Sequence, residues 1–158
     1  MSTNEHEANT YEPFSTSNSV GQKVIFKKVR EALGFDRCVS FFTGAAPMAR
    51  DVLKYFLSLD MVILELYGMS ECTGPQSMCY HNKYKTGSVG VILPGCENRL
   101  SEPDQKGEGE VCMWGRHIMM GYLNRPDKTT EDMDEEGWLH SGDLGTMDSD
   151  GYLYITGN

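Results

Sequence analysis

Apolar positions first acquire a regular period near residue 22. Ile25, Val29 and Ala32 or Leu33 recur at helical spacing, with Lys27, Lys28 and Arg30 outside that stripe. Gly34 stands where such a helix would end. Cys38-Val39-Ser40-Phe41-Phe42-Thr43 is a short run rich in residues that favour extended chain, and Gly44-Ala45-Ala46-Pro47 breaks it. Val52, Leu53, Phe56 and Leu57 form a second helical stripe, with Asp51 in the first turn, where a negative charge suits the helix dipole. Met61-Val62-Ile63-Leu64-Glu65-Leu66-Tyr67 is almost continuously apolar, the pattern of a buried strand. Strand, helix and strand in so short a span predict a parallel βαβ unit with a right-handed crossover. Ligands of parallel sheets bind beyond the carboxyl ends of the strands. The loops after these two strands, 44–47 and 68–71, are therefore expected at one edge of the sheet.

After Tyr84 the pattern changes to short runs separated by turns: Gly87-Ser88-Val89-Gly90, Pro94-Gly95, Pro103-Asp104 and Gly107-Glu108-Gly109. This predicts antiparallel strands in a second subdomain. Glu110-Val111-Cys112-Met113-Trp114 is one of them. Residues 125–130 enter a short helix, residues 133–136 form an acidic turn, and Asp150-Gly151 turns a hairpin into the strand Tyr152-Leu153-Tyr154-Ile155. The expected fold class is α/β, a partial parallel βαβ subdomain over residues 22–84 followed by a mainly antiparallel β subdomain over 85–158. Ahead of both, residues 1–20 hold ten Ser, Thr or Asn, three Glu and no Lys or Arg. Such a stretch buries too little apolar surface to offset its ordering entropy, so residues 1–21 are expected to form a disordered leader.

Composition adds exclusions. The net charge of −9 opposes general nucleic-acid binding, although backbone N–H groups and Mg²⁺ can hold phosphates in an acidic protein. No apolar run of about 18 residues predicts a transmembrane segment, and no secretory signal is visible. Cys38, Cys72, Cys79, Cys96 and Cys112 are scattered without a C-x-x-C pair. They read as reduced thiols of a cytoplasmic protein rather than a disulfide framework or zinc site.

Three motifs carry chemistry. In Tyr67-Gly68-Met69-Ser70-Glu71, the aromatic ring can stack on a base, Gly68 lets backbone approach a ligand, Ser70 can donate to a phosphate oxygen, and Glu71 is a hard oxygen ligand suited to Mg²⁺. Alone, the pentad reads equally well as a strand-to-loop turn with a surface acid. Gly44-Ala45-Ala46-Pro47 could line an adenine edge with backbone groups, or simply turn the chain into a helix. Asp143, after Ser141-Gly142 in an expected loop, could accept hydrogen bonds from ribose hydroxyls, or be a turn residue.

The order and spacing of all three, together with Gly107-Glu108-Gly109-Glu110-Val111, Trp114-Gly115-Arg116 and Met120-Gly121-Tyr122-Leu123-Asn124, resemble the AMP-binding, adenylate-forming superfamily. The resemblance runs from about Val24 to the C-terminus. Glu65-Leu66-Tyr67-Gly68-Met69-Ser70-Glu71, Trp114-Gly115-Arg116-His117 and the stretch 134–143 look closest to long-chain fatty acyl-CoA synthetases of the bubblegum type.

This resemblance implies a nucleotide-facing set of Gly44, Ala45, Ala46, Pro47, Glu65, Leu66, Tyr67, Gly68, Met69, Ser70 and Asp143. Tyr67 would stack on adenine, Ser70 would touch the α-phosphate, Glu71 would hold Mg²⁺ and Asp143 would bind the ribose hydroxyls. Ser70 and Glu71 would be the catalytic pair. The implied substrates are a fatty acid, ATP and CoA, with AMP as product, and the resemblance leaves room for peripheral membrane contact. It also implies elements not matched in these 158 residues: a Gly-rich phosphate loop ending in Lys, an Arg where Asn158 stands, and a C-terminal domain with a catalytic Lys. The expectation is a fragment of a long-chain fatty acid–CoA ligase, inactive in isolation. A non-catalytic nucleotide-binding or interaction module built on the same loops is the alternative.

Overall fold

The computed structural model describes residues 20–157. The expected leader lies outside the described residues up to residue 19, and so does Asn158. Val20 and Gly21 already belong to the first helix, α1, Val20–Ala32. It stops at Gly34, where φ is +75°. Phe35 N–H reaches back to the Arg30 carbonyl at 2.7 Å and Gly34 N–H to that of Glu31 at 3.1 Å, the paired closure that a left-handed glycine permits.

Strand β1, Phe41–Thr43, is followed by α2, Arg50–Ser58, and β2, Ile63–Met69. β1 and β2 pair in parallel, with Phe41 opposite Ile63 and Thr43 opposite Glu65. The expected βαβ unit is present. α2 packs on β2 and buries Leu53; at the start of β2, Met61 and Leu64 are fully enclosed. Val24, Ile25, Leu33, Val39 and Phe42, in contrast, are half or more exposed. The helical stripe of α1 is thus largely uncovered by the described residues.

The next turn differs from expectation. β2 does not stop at Tyr67 but runs through Met69. A 3-10 turn, Ser70–Cys72, then returns the chain as β3, Gly74–Met78, antiparallel to β2. The β3 sequence Gly-Pro-Gln-Ser-Met has no apolar alternation and opens on two poor strand formers, so its pairing comes from the turn. β4, Val91–Ile92, pairs with β3 through Ile92 opposite Ser77 and completes a sheet of order β1-β2-β3-β4. This sheet therefore reaches past Tyr84. The second sheet is antiparallel throughout, in the order β5 (Cys96–Ser101), β6 (Gly109–Gly115), β7 (Leu139–Met147) and β8 (Leu153–Gly157). A short helix, α3, Pro126–Asp132, lies between β6 and β7 with proline in its first turn.

The two sheets meet through Cys72, Met113 and Leu139, all but inaccessible, with Tyr67, Met69, Ile118, Met119 and Met133 packed around them. Enclosing a Leu or Met side chain contributes about 1.5–3 kcal/mol, so this seam is the main adhesive between the sheets. Polar ties flank it. Fully buried Gln76 donates to the Glu97 carbonyl at 2.9 Å, and its Oε1 accepts from His117 Nε2 at 2.6 Å. Lys85 reaches Asp148 at 2.6 Å and Asp150 at 2.8 Å, across the face of Tyr152.

Gly68 matters to the hairpin itself. The β2–β3 register shifts between Tyr67 and Gly68, and a β-carbon on Gly68 would fall 1.9 Å from the Gly74 carbonyl oxygen. The close approach that glycine allows here is to the chain's own backbone. Gly68→Ala is expected to destabilise the protein by about 1–3 kcal/mol, the usual cost of overpacking, as measured by urea denaturation. A loss below about 0.5 kcal/mol, the range of an ordinary surface substitution, would mean that the hairpin relaxes around the methyl group.

Candidate functional site

The site begins with an irregularity in β7. Glu110 and Cys112 of β6 enclose one residue, whereas their partners on β7, Leu144 and His140, enclose Ser141, Gly142 and Asp143. The surplus makes a bulge, a device that re-aims side chains at a sheet edge. Gly142 supplies the left-handed conformation it needs, with φ of +75°. Ser141 Oγ accepts the Asp143 N–H at 3.0 Å. One Glu110 carboxylate spans the bulge: its Oε1 accepts the Gly142 N–H at 3.0 Å and its Oε2 lies 2.8 Å from His140 Nδ1. Asp143, expected in a loop, is therefore on a strand, and its carboxylate is aimed by the bulge.

That carboxylate meets the end of β2. Tyr67 O–H donates to Asp143 Oδ2 at 2.7 Å, joining residues from the two sheets. Burial is the largest influence on the Tyr67 phenol and holds it well above its ordinary value; the Asp143 carboxylate adds to this and the Ser141 hydroxyl opposes it. Tyr67 thus remains a donor throughout the ordinary pH range. Among the described residues, no donor reaches Asp143 Oδ1.

Glu71 lies in the 3-10 turn that follows. Its Oε1 accepts the Tyr122 O–H at 2.9 Å, and its backbone carbonyl accepts Met119 N–H at 2.8 Å. Thr73 Oγ1 donates to the His117 carbonyl at 2.7 Å. The turn is therefore docked on the segment that follows β6. Tyr122 is raised above its usual value, first by burial and then by the Glu71 carboxylate. Ser70 is exposed at the start of the turn.

The 44–47 loop sits where the βαβ reading put it. A β-carbon on Gly44 would fall 2.5 Å from Leu66 Cδ1, so the loop rests on β2. Ala45 has φ of +66°, a conformation costly to a residue with a side chain, and Ala45, Ala46 and Pro47 are exposed. Glu65 is engaged elsewhere: its Oε2 accepts the Gly87 N–H at 3.1 Å.

The structure thus joins Tyr67 directly to Asp143, seats Gly44 on Leu66, and ties Glu71 to Tyr122. Tyr122, Glu110 and His140 had no role in the sequence reading, although each lies in a motif that carries the resemblance. Glu110 and His140 fall on facing strands once β6 and β7 are paired, a signal available only from the register. Glu110, Cys112 and His140 bring ligand-type atoms within 4.8 Å of one another. The Glu110–His140 hydrogen bond accounts for two of them, and Arg99 pairs across from Cys112 with its own positive charge.

A fold of this kind, in which an aromatic residue of one sheet meets a carboxylate held in a bulge of the other, matches a known class. The chain belongs to the AMP-binding enzyme family, whose sequence model matches residues 8–123. It is 49% identical over 157 residues to the Xenopus laevis long-chain-fatty-acid–CoA ligase ACSBG2, covering 99% of this chain and 21% of that protein. It is 48% identical to human long-chain-fatty-acid–CoA ligase ACSBG1 over 145 residues, 92% of this chain and 20% of that protein. The chain spans about a fifth of the length of these curated relatives. Among solved structures, ATP-bound MatB from Rhodopseudomonas palustris superposes with a TM-score of 0.72 at 29% identity, over 82% of this chain and 27% of that one. MenE, the O-succinylbenzoate coenzyme A synthetase from Bacillus subtilis in complex with ATP and magnesium, gives 0.63 at 28% identity, over 72% and 25%. No helix among the described residues is long and apolar enough to cross a membrane.

Burial raises the Glu65 carboxyl above its ordinary value of 4.5, against the opposing Gly87 N–H and Arg50 charge. A carboxyl raised in the folded state stabilises the protein below its ordinary value, and that contribution is lost as pH rises through the raised value. Glu65→Gln should therefore flatten the pH dependence of stability above pH 4.5, seen by comparing urea midpoints of the two proteins at acid and neutral pH. Parallel curves would show that the carboxyl titrates alike in both states.

Proposed function

We propose that this chain is part of a long-chain fatty acid–CoA ligase and forms the adenine, ribose and Mg²⁺ side of its nucleotide pocket. In this reading the fatty carboxylate attacks the α-phosphorus of ATP. The bond to the β-phosphate bridging oxygen breaks and pyrophosphate leaves, giving acyl-AMP. The CoA sulfur then attacks the acyl carbon, and AMP leaves with the electron pair of the broken C–O bond. Tyr67 stacks on adenine near Gly44, Ala45, Ala46 and Pro47. Glu65 and Leu66 complete that wall, Gly68 and Met69 lie beside the acyl-adenylate, and Ser70 donates to the α-phosphate.

The observation that carries this reading is the Tyr67–Asp143 hydrogen bond, 2.7 Å long. It fixes an aromatic ring beside a carboxylate whose other oxygen meets no protein donor among the described residues, which suits a base and the vicinal hydroxyls of the ribose attached to it. Solved relatives bound to ATP, with magnesium in one case, and the identity to fatty acid–CoA ligases support the same substrates. Mg²⁺ fits Glu71, a hard oxygen donor whose Oε1 is steadied by Tyr122 and whose Oε2 has no donor among the described residues. When bound there, the cation would offset phosphate charge. The protein's own share of catalysis is positioning and charge placement around phosphorus. Its setting is proposed to be the cytoplasm.

Two measurements test this. Calorimetric titration should show AMP binding to the wild-type chain, weakened about tenfold or more by Asp143→Ala, equivalent to about 1.4 kcal/mol; superimposable isotherms would remove Asp143 from the pocket. The purified 158-residue chain should give no fatty-acid-dependent ATP–pyrophosphate exchange, since each missing preorganised contact costs about 10²–10³ in rate. Robust exchange would overturn the assignment of outer-phosphate binding to residues beyond these.

A further inference from the structure

Glu110 belongs to neither the nucleotide-facing set nor the acyl chemistry, yet it organises the segment that carries Asp143. Opposite Val111, β7 has three residues where a regular ladder would have one, so the bulge forgoes ladder hydrogen bonds at that point. A backbone N–H left unpaired there would carry the cost of a lost hydrogen bond. The Glu110 carboxylate replaces what the ladder forgoes. One oxygen holds the Gly142 N–H at 3.0 Å, and the other holds His140 Nδ1 at 2.8 Å. It therefore grips the bulge at the residue that leads into it and at its middle residue, immediately before Asp143. Gly142 is a left-handed residue with open space where a β-carbon would stand. The hydrogen bond to Glu110 restrains its backbone. Asp143 itself has two restraints, the Ser141 hydroxyl on its N–H and Tyr67 on Oδ2.

We propose that Glu110 is a positioning residue: by clamping Gly142 and His140, it sets the Asp143 carboxylate at the place where ribose hydroxyls are bound, without touching nucleotide itself. The inference rests on the reading of Asp143 given above. A side chain that merely supported the fold would weaken every ligand of the pocket alike. A residue acting through Asp143 weakens only ligands that carry the ribose hydroxyls.

The test uses the 158-residue chain and three variants. Glu110→Ala removes both acceptors. Glu110→Met removes them while keeping side-chain length, and serves if the alanine variant does not fold. Glu110→Gln keeps an oxygen for Gly142 and offers an N–H to the other tautomer of His140. AMP and 2′,3′-dideoxy-AMP are titrated calorimetrically into each. Glu110→Ala or Glu110→Met is expected to weaken AMP about tenfold and to leave the dideoxy nucleotide essentially unchanged, matching the pattern of Asp143→Ala, while Glu110→Gln restores AMP binding. Equal losses for both nucleotides, or no loss, would overturn the proposal.

A ligand-free readout separates this from the nucleotide reading. Hydrogen exchange at the Gly142 amide should accelerate about tenfold or more in Glu110→Ala or Glu110→Met and stay slow in Glu110→Gln. If the wild-type chain binds neither nucleotide, the nucleotide reading fails on its own. Exchange at Gly142 then decides the clamp, and an unchanged rate overturns it.

Discussion

The hydrogen bond from Tyr67 to Asp143 is where the two sheets agree on a geometry. One partner lies near the end of β2 in a sheet that opens with a parallel βαβ unit; the other sits in a bulge of an antiparallel sheet, 76 residues later in the chain. A hydrogen bond to a charged group contributes about 1.5–3 kcal/mol. The apolar seam of Cys72, Met113 and Leu139 with its five flanking side chains outweighs that several-fold by burial alone. Adhesion therefore comes from the seam, and the hydrogen bond adds direction. It holds the phenol and the carboxylate in one relation that sheet packing by itself would leave loose.

The carboxylates around this junction share a pattern. Asp143 is held by a phenol, Glu71 by another phenol, Glu110 by a backbone N–H and an imidazole, and Glu65 by a backbone N–H. Lys85 and Arg99 neutralise acids elsewhere, at Asp148 and Asp150 and at Asp134 and Glu136. A phenol or a backbone N–H fixes a carboxylate in space without cancelling its charge. The carboxylates at the junction are thereby held in fixed directions by the fold itself.

Much of this was legible in the sequence because burial writes a period into it. The stripe Val52, Leu53, Phe56, Leu57 and the apolar run 61–67 mark α2 and β2, and their order marks the parallel pairing. β3 was not legible, since Gly74-Pro75-Gln76-Ser77-Met78 has no strand pattern and is made a strand by the turn before it. Asp143 was read in a loop because Ser-Gly-Asp is turn chemistry; in a bulge the same residues serve a strand. Gly68 was read as making room for a ligand, whereas its missing side chain makes room for the Gly74 carbonyl. The Glu110 clamp needs the β6–β7 register, which no single stretch of sequence contains. The family resemblance rested on motif order, and the family match over residues 8–123 bears it out.

The contact between Gly68 and Gly74 also acts as an index. A strand slipped by one residue turns each of its side chains to the opposite face. At the observed register, the Gly74 carbonyl occupies the space where any other residue at 68 would carry its β-carbon; one step away, Tyr67 or Met69 would have to accept it, and neither can. The hairpin is therefore keyed to a single alignment. The distance from the aromatic ring at Tyr67 to the acid at Glu71 is thus a dimension of the folded backbone, ruled by a missing methyl group rather than by any side chain.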